Sequence, residues 1–233
     1  VRADNYRVPI KNQKYTAMKI FYAIQATGNG HISRAVQLYP YLQKFGEVDF
    51  FLSGNNASLD INLPIKFKSE GCSLHYSTCG GLNYWDIAKP KQIYKDANAL
   101  PLKNYDVVIN DFDSITSLAC KLQKVHSIQF GHQASFISAK TPRPEKKSVM
   151  GEMILKHYAP SPKNIGLHFD KYDDFIYPPI IKDEILNADP KNAGHITVYL
   201  PSFQQDCLER AFNKLPNLKF HWFLSGIEAK HTM

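Results

Sequence analysis

KIFYAIQATGNGHISR, residues 19–34, carries the pattern on which the fold is read. Lys19–Gln25 is a short apolar run of the kind that forms a strand buried on both faces. ATGNGHISR, residues 26–34, reads as a Gly-rich turn, and a helical segment follows it. A buried strand, a glycine turn and a helix open a parallel α/β unit. The helix is expected to reach about Phe45, with Gly46 placed to end it and Pro40 expected to kink or split it.

The alternation continues. Strands are expected at Val48–Gly54, Leu63–Ser69, Asp106–Asp113 and Val125–Gln133, and an extended segment at Asp173–Ile181. Cys72–Trp85 reads as a loop, Asp86–Asn98 as a helix weakened by Pro90, and Ser114–Lys124 as a helix capped by Ser114. Ser138–Lys147 is a polar loop before a helix over Ser148–His157. Lys182–Gly194 reads as a linker, after which a strand, a helix and a strand recur from His195. The fold class predicted is α/β: a Rossmann-like parallel sheet with helices on both faces over residues 18–181, a linker over 182–194, and over 195–233 the start of an incomplete second Rossmann-like domain. Residues 1–17, polar and basic, read as a disordered lead-in.

The 233 residues carry a formal charge of +7. That favours an anionic partner: phosphate, nucleic acid or an acidic membrane face. A merely solvated basic surface is the plain alternative. No run approaches the ~20 apolar residues that cross a bilayer, and the first residues lack the apolar core of a secretory signal. Cys72, Cys79, Cys120 and Cys207 form no CxxC pair and no zinc spacing, so reduced thiols in a cytoplasmic setting are expected.

Three polar clusters fall at strand ends on one edge of the predicted sheet. The first is the Gly28–Arg34 turn, where glycines let a backbone approach a ligand and a helix start offers free amides. It lacks the third glycine of a dinucleotide fingerprint, and no GxxxxGK[ST] is present. His31 in this turn is a candidate base for a hydroxyl proton; capping or packing is its other reading. The second cluster is Asn110-Asp111-Phe112-Asp113. Asp111 is the candidate to orient His31, while Asp113 or Ser114 caps the next helix. The third is Phe130-Gly131-His132-Gln133, whose His132 and Gln133 suit sugar hydroxyls or phosphate, or are ordinary loop residues.

GNGHISR, NDFD, FGHQASF with TPRP, and YPPII before HITVYLPS resemble the GT-B glycosyltransferases, closest to family-1-type and MurG-like bacterial and archaeal enzymes, over about Met18–Gly226. The resemblance implies two Rossmann-like domains facing across a cleft, the first holding the acceptor and the second a nucleotide-sugar donor. It implies His31 as general base with Asp111 behind it. It implies acceptor contacts from Gly28, Asn29, Gly30, Arg34, His132 and Gln133, and a donor contact from Ser202. No metal and no cofactor are expected, the nucleotide-sugar being a co-substrate. The partners expected are that donor, a glycan or lipid-linked acceptor and an acidic membrane surface, without nucleic acid. With the donor half incomplete, the stretch in hand is expected to be an inactive fragment. A nucleotide-sugar epimerase of the same fold and a non-catalytic module binding acidic glycan or lipid phosphate are the rival readings.

Overall fold

The computed structural model describes residues 17–54, 62–71, 75–76, 82–83, 90–200, 202–224 and 227–231. The expected lead-in falls almost wholly outside these residues, as do most of the Cys72–Trp85 loop and the start of the helix expected from Asp86.

Strand β1 (Met18–Gln25) is the pivot of the molecule. It pairs in parallel with β2 (Gly46–Ser53) on one side and β6 (Val107–Asp111) on the other. Beyond these lie β3 (Ile65–Ser69) and, on the far side, β7 (Ile128–Gly131), β8 (Lys163–Leu167) and β9 (Ile176–Tyr177). The result is a seven-stranded sheet of order β3-β2-β1-β6-β7-β8-β9, every pair parallel. Parallel neighbours need crossovers, and these cover both faces.

Alternation along β1 divides the core. Ile20, Tyr22 and Ile24 point to the face covered by α1 (Asn29–Leu42), meeting Ile32 and Ala35. Phe21 and Ala23 point to the opposite face with Ala97 of α2 (Pro90–Ala99) and Ile115, Ala119 and Cys120 of α3 (Ser114–Gln123). A strand apolar on both faces is what this arrangement demands.

Several local expectations are corrected. The first helix ends at Leu42, and Pro40 sits in its last turn without splitting it. Gly46 does not cap that helix. It opens β2 with φ +159, where a Cβ would run into the Met18 backbone. Of the two candidate caps for α3, Ser114 and Asp113, it is Asp113 that serves, its side chain accepting the Thr116 amide at 2.6 Å. Pro90 is the first described residue of α2, and residues 86–89, where that helix is expected to start, lie outside the described residues. β8 is an addition to the strands expected. KNIGL has little β-propensity, and pairing with β7 makes it a strand. Cys207 is disulfide-bonded, which corrects the expectation of reduced thiols; Cys120 is a free buried thiol, and Cys72 and Cys79 lie outside the described residues.

After β9 the chain forms a short α6 (Asp183–Leu186) within the expected linker. A separate sheet follows, of order β10-β11-β12. β10 (Ile196–Tyr199) runs parallel to β11 (Phe220–Leu224), and β12 (Ile227–His231) runs antiparallel to it. Between β10 and β11, α7 (Gln205–Phe212) buries Leu208 while Phe212 stacks on Phe220. β4 (His75–Tyr76) and β5 (Leu82–Asn83) form a small antiparallel pair.

Two helices fill the crossover from β7 to β8: α4 (His132–Ser135) and α5 (Val149–His157), the latter close to the helix expected over Ser148–His157 and capped by Ser148. α4 lies so close to β8 that a Cβ on Gly166 would fall 2.7 Å from the Ser135 Cα. Gly166→Ala should therefore destabilise by about 1–3 kcal/mol, the usual cost of overpacking a tight contact. Gly151 sits inside α5, and a Cβ there meets only the Ser148 side chain at ordinary distance. Gly151→Ala should raise stability by roughly 0.5–1 kcal/mol. Thermal melts of the two variants, read by circular dichroism, should shift in opposite directions.

Candidate active site

The carboxyl ends of β1, β6 and β7 lie side by side, so the three polar clusters read from the sequence converge. Asp111, the last residue of β6, is fully buried. His31 and Arg34 stand three residues apart on α1, hence on one helical face. Both reach the same carboxylate. His31 Nδ1 lies 2.7 Å from Asp111 Oδ1. Arg34 donates from Nε to Oδ2 at 2.9 Å and from Nη2 to Oδ1 at 2.6 Å. The Tyr22 hydroxyl, from β1, donates to Oδ2 at 3.3 Å.

Electrostatics fix the protonation pattern. Burial pushes the Asp111 carboxyl up, but the charges and hydrogen bonds of His31 and Arg34 outweigh it and hold the group below the usual carboxylate range. Burial, reinforced by the Asp111 charge, pushes the Tyr22 phenol well above its ordinary value, so it remains a donor. An ionised carboxylate only accepts hydrogen bonds. The proton between it and His31 therefore sits on Nδ1, and in the neutral imidazole Nε2 is then the nitrogen that carries the lone pair. The Arg34 Nη2 that lies 2.9 Å from Nδ1 then has Asp111 as its acceptor.

Gly131 makes this packing possible. At φ +133, a Cβ there would fall 3.0 Å from both Arg34 Nη2 and Asp111 Oδ1. The sequence reading leaves this role out, since only the neighbours His132 and Gln133 stand out there. The Arg34 guanidinium also lies 5.9 Å from the Phe130 ring centre.

The second aspartate of the NDFD run does different work. Asn110 brackets a tight turn, its Nδ2 donating to the Asp113 carbonyl at 3.0 Å and its Oδ1 accepting the Asp113 amide at 2.7 Å. Phe112, between the aspartates, has φ +60, an uncommon and strained conformation for a bulky side chain. The turn aims Asp111 at α1 and Asp113 at the start of α3. Burial raises the Asp113 carboxyl despite its bonds to Thr116. Among the described residues no group of three or more His, Cys, Asp or Glu is arranged to hold a metal ion.

The remaining candidates are placed as follows. The helix begins earlier than the sequence suggests: Gly28 is its N-cap, and Asn29 and Gly30 are its first residues; a Cβ on Gly28 or Gly30 would meet nothing within 4 Å among the described residues. Packing therefore does not require either glycine. Arg34, expected to meet an acceptor phosphate, is instead bonded to Asp111. It still lines, with Gly30, Ser33, His132, His168 and Phe169, a cavity of about 360 Å3. His132 is exposed at the start of α4, its Nδ1 3.0 Å from the Leu167 carbonyl, and its ring lies 5.3 Å from that of His168. Gln133 is not on the wall of this cavity, and its Oε1 is buried and lacks a partner among the described residues. Ser202 lies in the turn between β10 and α7, and no described contact joins it to the His31–Asp111 pair.

Arg34→Ala would leave the buried Asp111 carboxylate short of its strongest partner, and stability should fall by about 3–5 kcal/mol. The pH dependence follows in sign. Asp111 has a folded pKa below its unfolded value of about 3.9. Its contribution is fully present above that value and is lost as the pH falls through the folded pKa. Asp113, raised by burial, contributes a slope of the opposite sign. Urea unfolding from neutral to acid pH should show a weaker acid loss in Asp111→Asn than in the unaltered protein, and a stronger one in Asp113→Asn.

A search of curated proteins finds no match to the chain. The sequence profile described as glycosyl transferase family 1 matches residues 18–227, which span the large sheet, the site at its carboxyl edge and most of the small sheet. With that match covering most of its length, the chain belongs to glycosyl transferase family 1 and is a glycosyltransferase.

Proposed function

We propose that the chain supplies the acceptor side of a reaction that moves a sugar from a nucleotide-sugar to an acceptor hydroxyl, in a GT-B enzyme of MurG-like type. The observation that carries it is the 2.7 Å contact between His31 Nδ1 and a fully buried, ionised Asp111. Residues 18–181 form the acceptor-side domain, 182–194 the linker, and 195–233 belong to the donor side. The acceptor is a glycan or a lipid-linked group met at an acidic membrane face.

His31 Nε2 accepts the proton of the acceptor hydroxyl. The freed oxygen forms a bond to the anomeric carbon, and the bond from that carbon to the nucleotide phosphate breaks, its electron pair leaving with the phosphate. Asp111 holds the imidazole in the required tautomer and balances the charge that forms on it. Its four donors occupy the lone pairs of both oxygens, which makes it a positioning residue. Arg34 is a second positioning residue, since it fixes the carboxylate. The open space at Gly28 and Gly30 lets a ligand reach the first amides of α1, with Asn29 and His132 beside it. Gln133 and Ser202 belong to the same reading, as acceptor and donor contacts respectively.

In an active enzyme containing this chain, His31→Ala should lower turnover by roughly 10²–10⁴-fold, the range for a positioned base. Acceptor affinity should change little. Asp111→Asn should lower turnover as well, and the double variant should fall short of the product of the two losses, because both residues serve one proton transfer. His132→Ala should act chiefly on acceptor affinity. Near-normal turnover in folded His31→Ala protein would remove His31 as the base.

A further inference from the structure

The residues that follow β8 bring a group of aromatic rings to the edge of the sheet that carries His31. His168 prolongs the strand, its amide donating to the Tyr177 carbonyl at 2.9 Å. Its ring lies 5.3 Å from that of His132, and Tyr172 and Phe136 meet it edge-on at 4.8 and 6.3 Å. Phe169 behaves differently. It is 83% exposed, yet it stands on the wall of the cavity of about 360 Å3 that His132, His168 and Arg34 also line. A single apolar side chain in water means little on an open surface. On the wall of a cavity, among convergent polar groups, it is a contact left for a ligand.

The backbone sets the two histidines as opposites. His132 Nδ1 lies 3.0 Å from the Leu167 carbonyl, which only accepts, so in the neutral ring Nε2 carries the lone pair. His168 Nδ1 accepts the Phe169 amide at 3.0 Å, so its neutral ring carries the hydrogen on Nε2. Side by side the pair offers an acceptor and a donor, and a hydroxyl, which is both, suits either. The Phe169 ring stands at 83° to the His168 ring, with centres 6.1 Å apart. An apolar plane thus meets a hydrogen-bonding one at a corner. A pyranose has the matching shape: a face of C–H bonds, whose partial positive charge suits an aromatic face, and an edge of hydroxyls. A phosphate matches it poorly. Among the described residues Arg34 is the only lysine or arginine on this wall, and its Nε and Nη2 are bonded to Asp111.

We infer that this cavity seats a sugar ring of the acceptor, stacked on Phe169 and held through its hydroxyls by His132 and His168. The inference rests on the acceptor-side reading above and narrows the acceptor to one whose reacting end is a saccharide. Gly30 and Arg34, which flank His31 on α1, line the same cavity. A ring seated there therefore lies beside the imidazole that would take its proton. Phe169 and His168 are in this way specificity determinants: they choose which molecule reaches His31 and take no part in the proton transfer.

The test is saturation-transfer NMR on the whole chain. The probes are the methyl pyranosides of glucose, galactose, mannose and N-acetylglucosamine, with decyl phosphate as a lipid-phosphate probe. A methyl pyranoside from this set should bind saturably, with the strongest transfer at its ring C–H protons. Phe169→Ala should weaken that binding by about tenfold, the loss usual for truncating an aromatic anchor, and Phe169→Tyr should retain it. Phe223→Ala, which removes an exposed phenylalanine of the small sheet, should leave it unchanged. Because Phe169 is exposed, Phe169→Ala should melt with the unaltered protein, so lost binding is not lost folding. The octyl glycoside of the same sugar separates two sources of the ring. Tighter binding than the methyl glycoside assigns it to a lipid-linked acceptor, equal binding to a free glycan, and either supports the seat. No binding of any pyranoside, undiminished binding in Phe169→Ala, or binding of decyl phosphate alone would each overturn the proposal. His31→Ala protein should bind the pyranoside normally, so a failure of the sugar seat and a failure of the catalytic reading are told apart.

Discussion

One ionised carboxylate at zero exposure governs the active edge of this molecule. A charge in the interior is tolerated only when it is paired and fully hydrogen-bonded. Asp111 meets that demand with donors from two elements other than its own: Tyr22 from β1, and His31 and Arg34 from α1. The requirement works in both directions. The carboxylate orients the imidazole, and the need to neutralise the carboxylate fixes how α1 is rotated over the sheet. The three-residue spacing of His31 and Arg34 lets one helical face satisfy both oxygens.

The sheet supplies the precision. β1 and β6 pair in parallel from Ile20↔Val107 to Ile24↔Asp111, so the end of β6 arrives level with the end of β1, just before the turn into α1. β7 stands next to β6, and its last residue, Gly131, leaves the space that the ion pair fills. Gly166 on β8 performs a similar service one strand further on by letting α4 seat closely, which positions His132. Two glycines at strand ends thus determine how near the third polar cluster comes to the first two.

Much of this is legible in the sequence. The apolar run of β1 and the strand–helix alternation point to the parallel α/β class, because strands buried on both faces leave a signature that needs no tertiary knowledge. His31 and Asp111 are readable as a pair because both follow strands and their side chains suit a base and its support. The place of Arg34 is not, because a sequence shows an arginine beside a glycine turn and not the buried charge waiting for it. The cap of α3 reads as Ser114, where either neighbour has the right chemistry and only the backbone turn decides for Asp113. β8 escapes notice because KNIGL becomes a strand by pairing, and Gly46 misleads because its reason is the Met18 backbone on another strand. In each case the missing information is a contact between distant segments.

The turn at Asn110–Asp113 has a further consequence, for how the chain tolerates changes in length. Asn110 spans the turn, Phe112 takes the left-handed conformation, and Asp111 and Asp113 leave in different directions for α1 and α3. Side-chain identity and residue count are therefore locked together over four positions. A single inserted or deleted residue here would re-aim at least one of the two carboxylates, which would then lose its cations or its helix amide. The surface segment at 138–148 has no such lock, since its residues are largely exposed. A change of length on this half of the sheet is therefore better absorbed in that crossover, leaving the NDFD run as the fixed point from which the spacing of the site is counted.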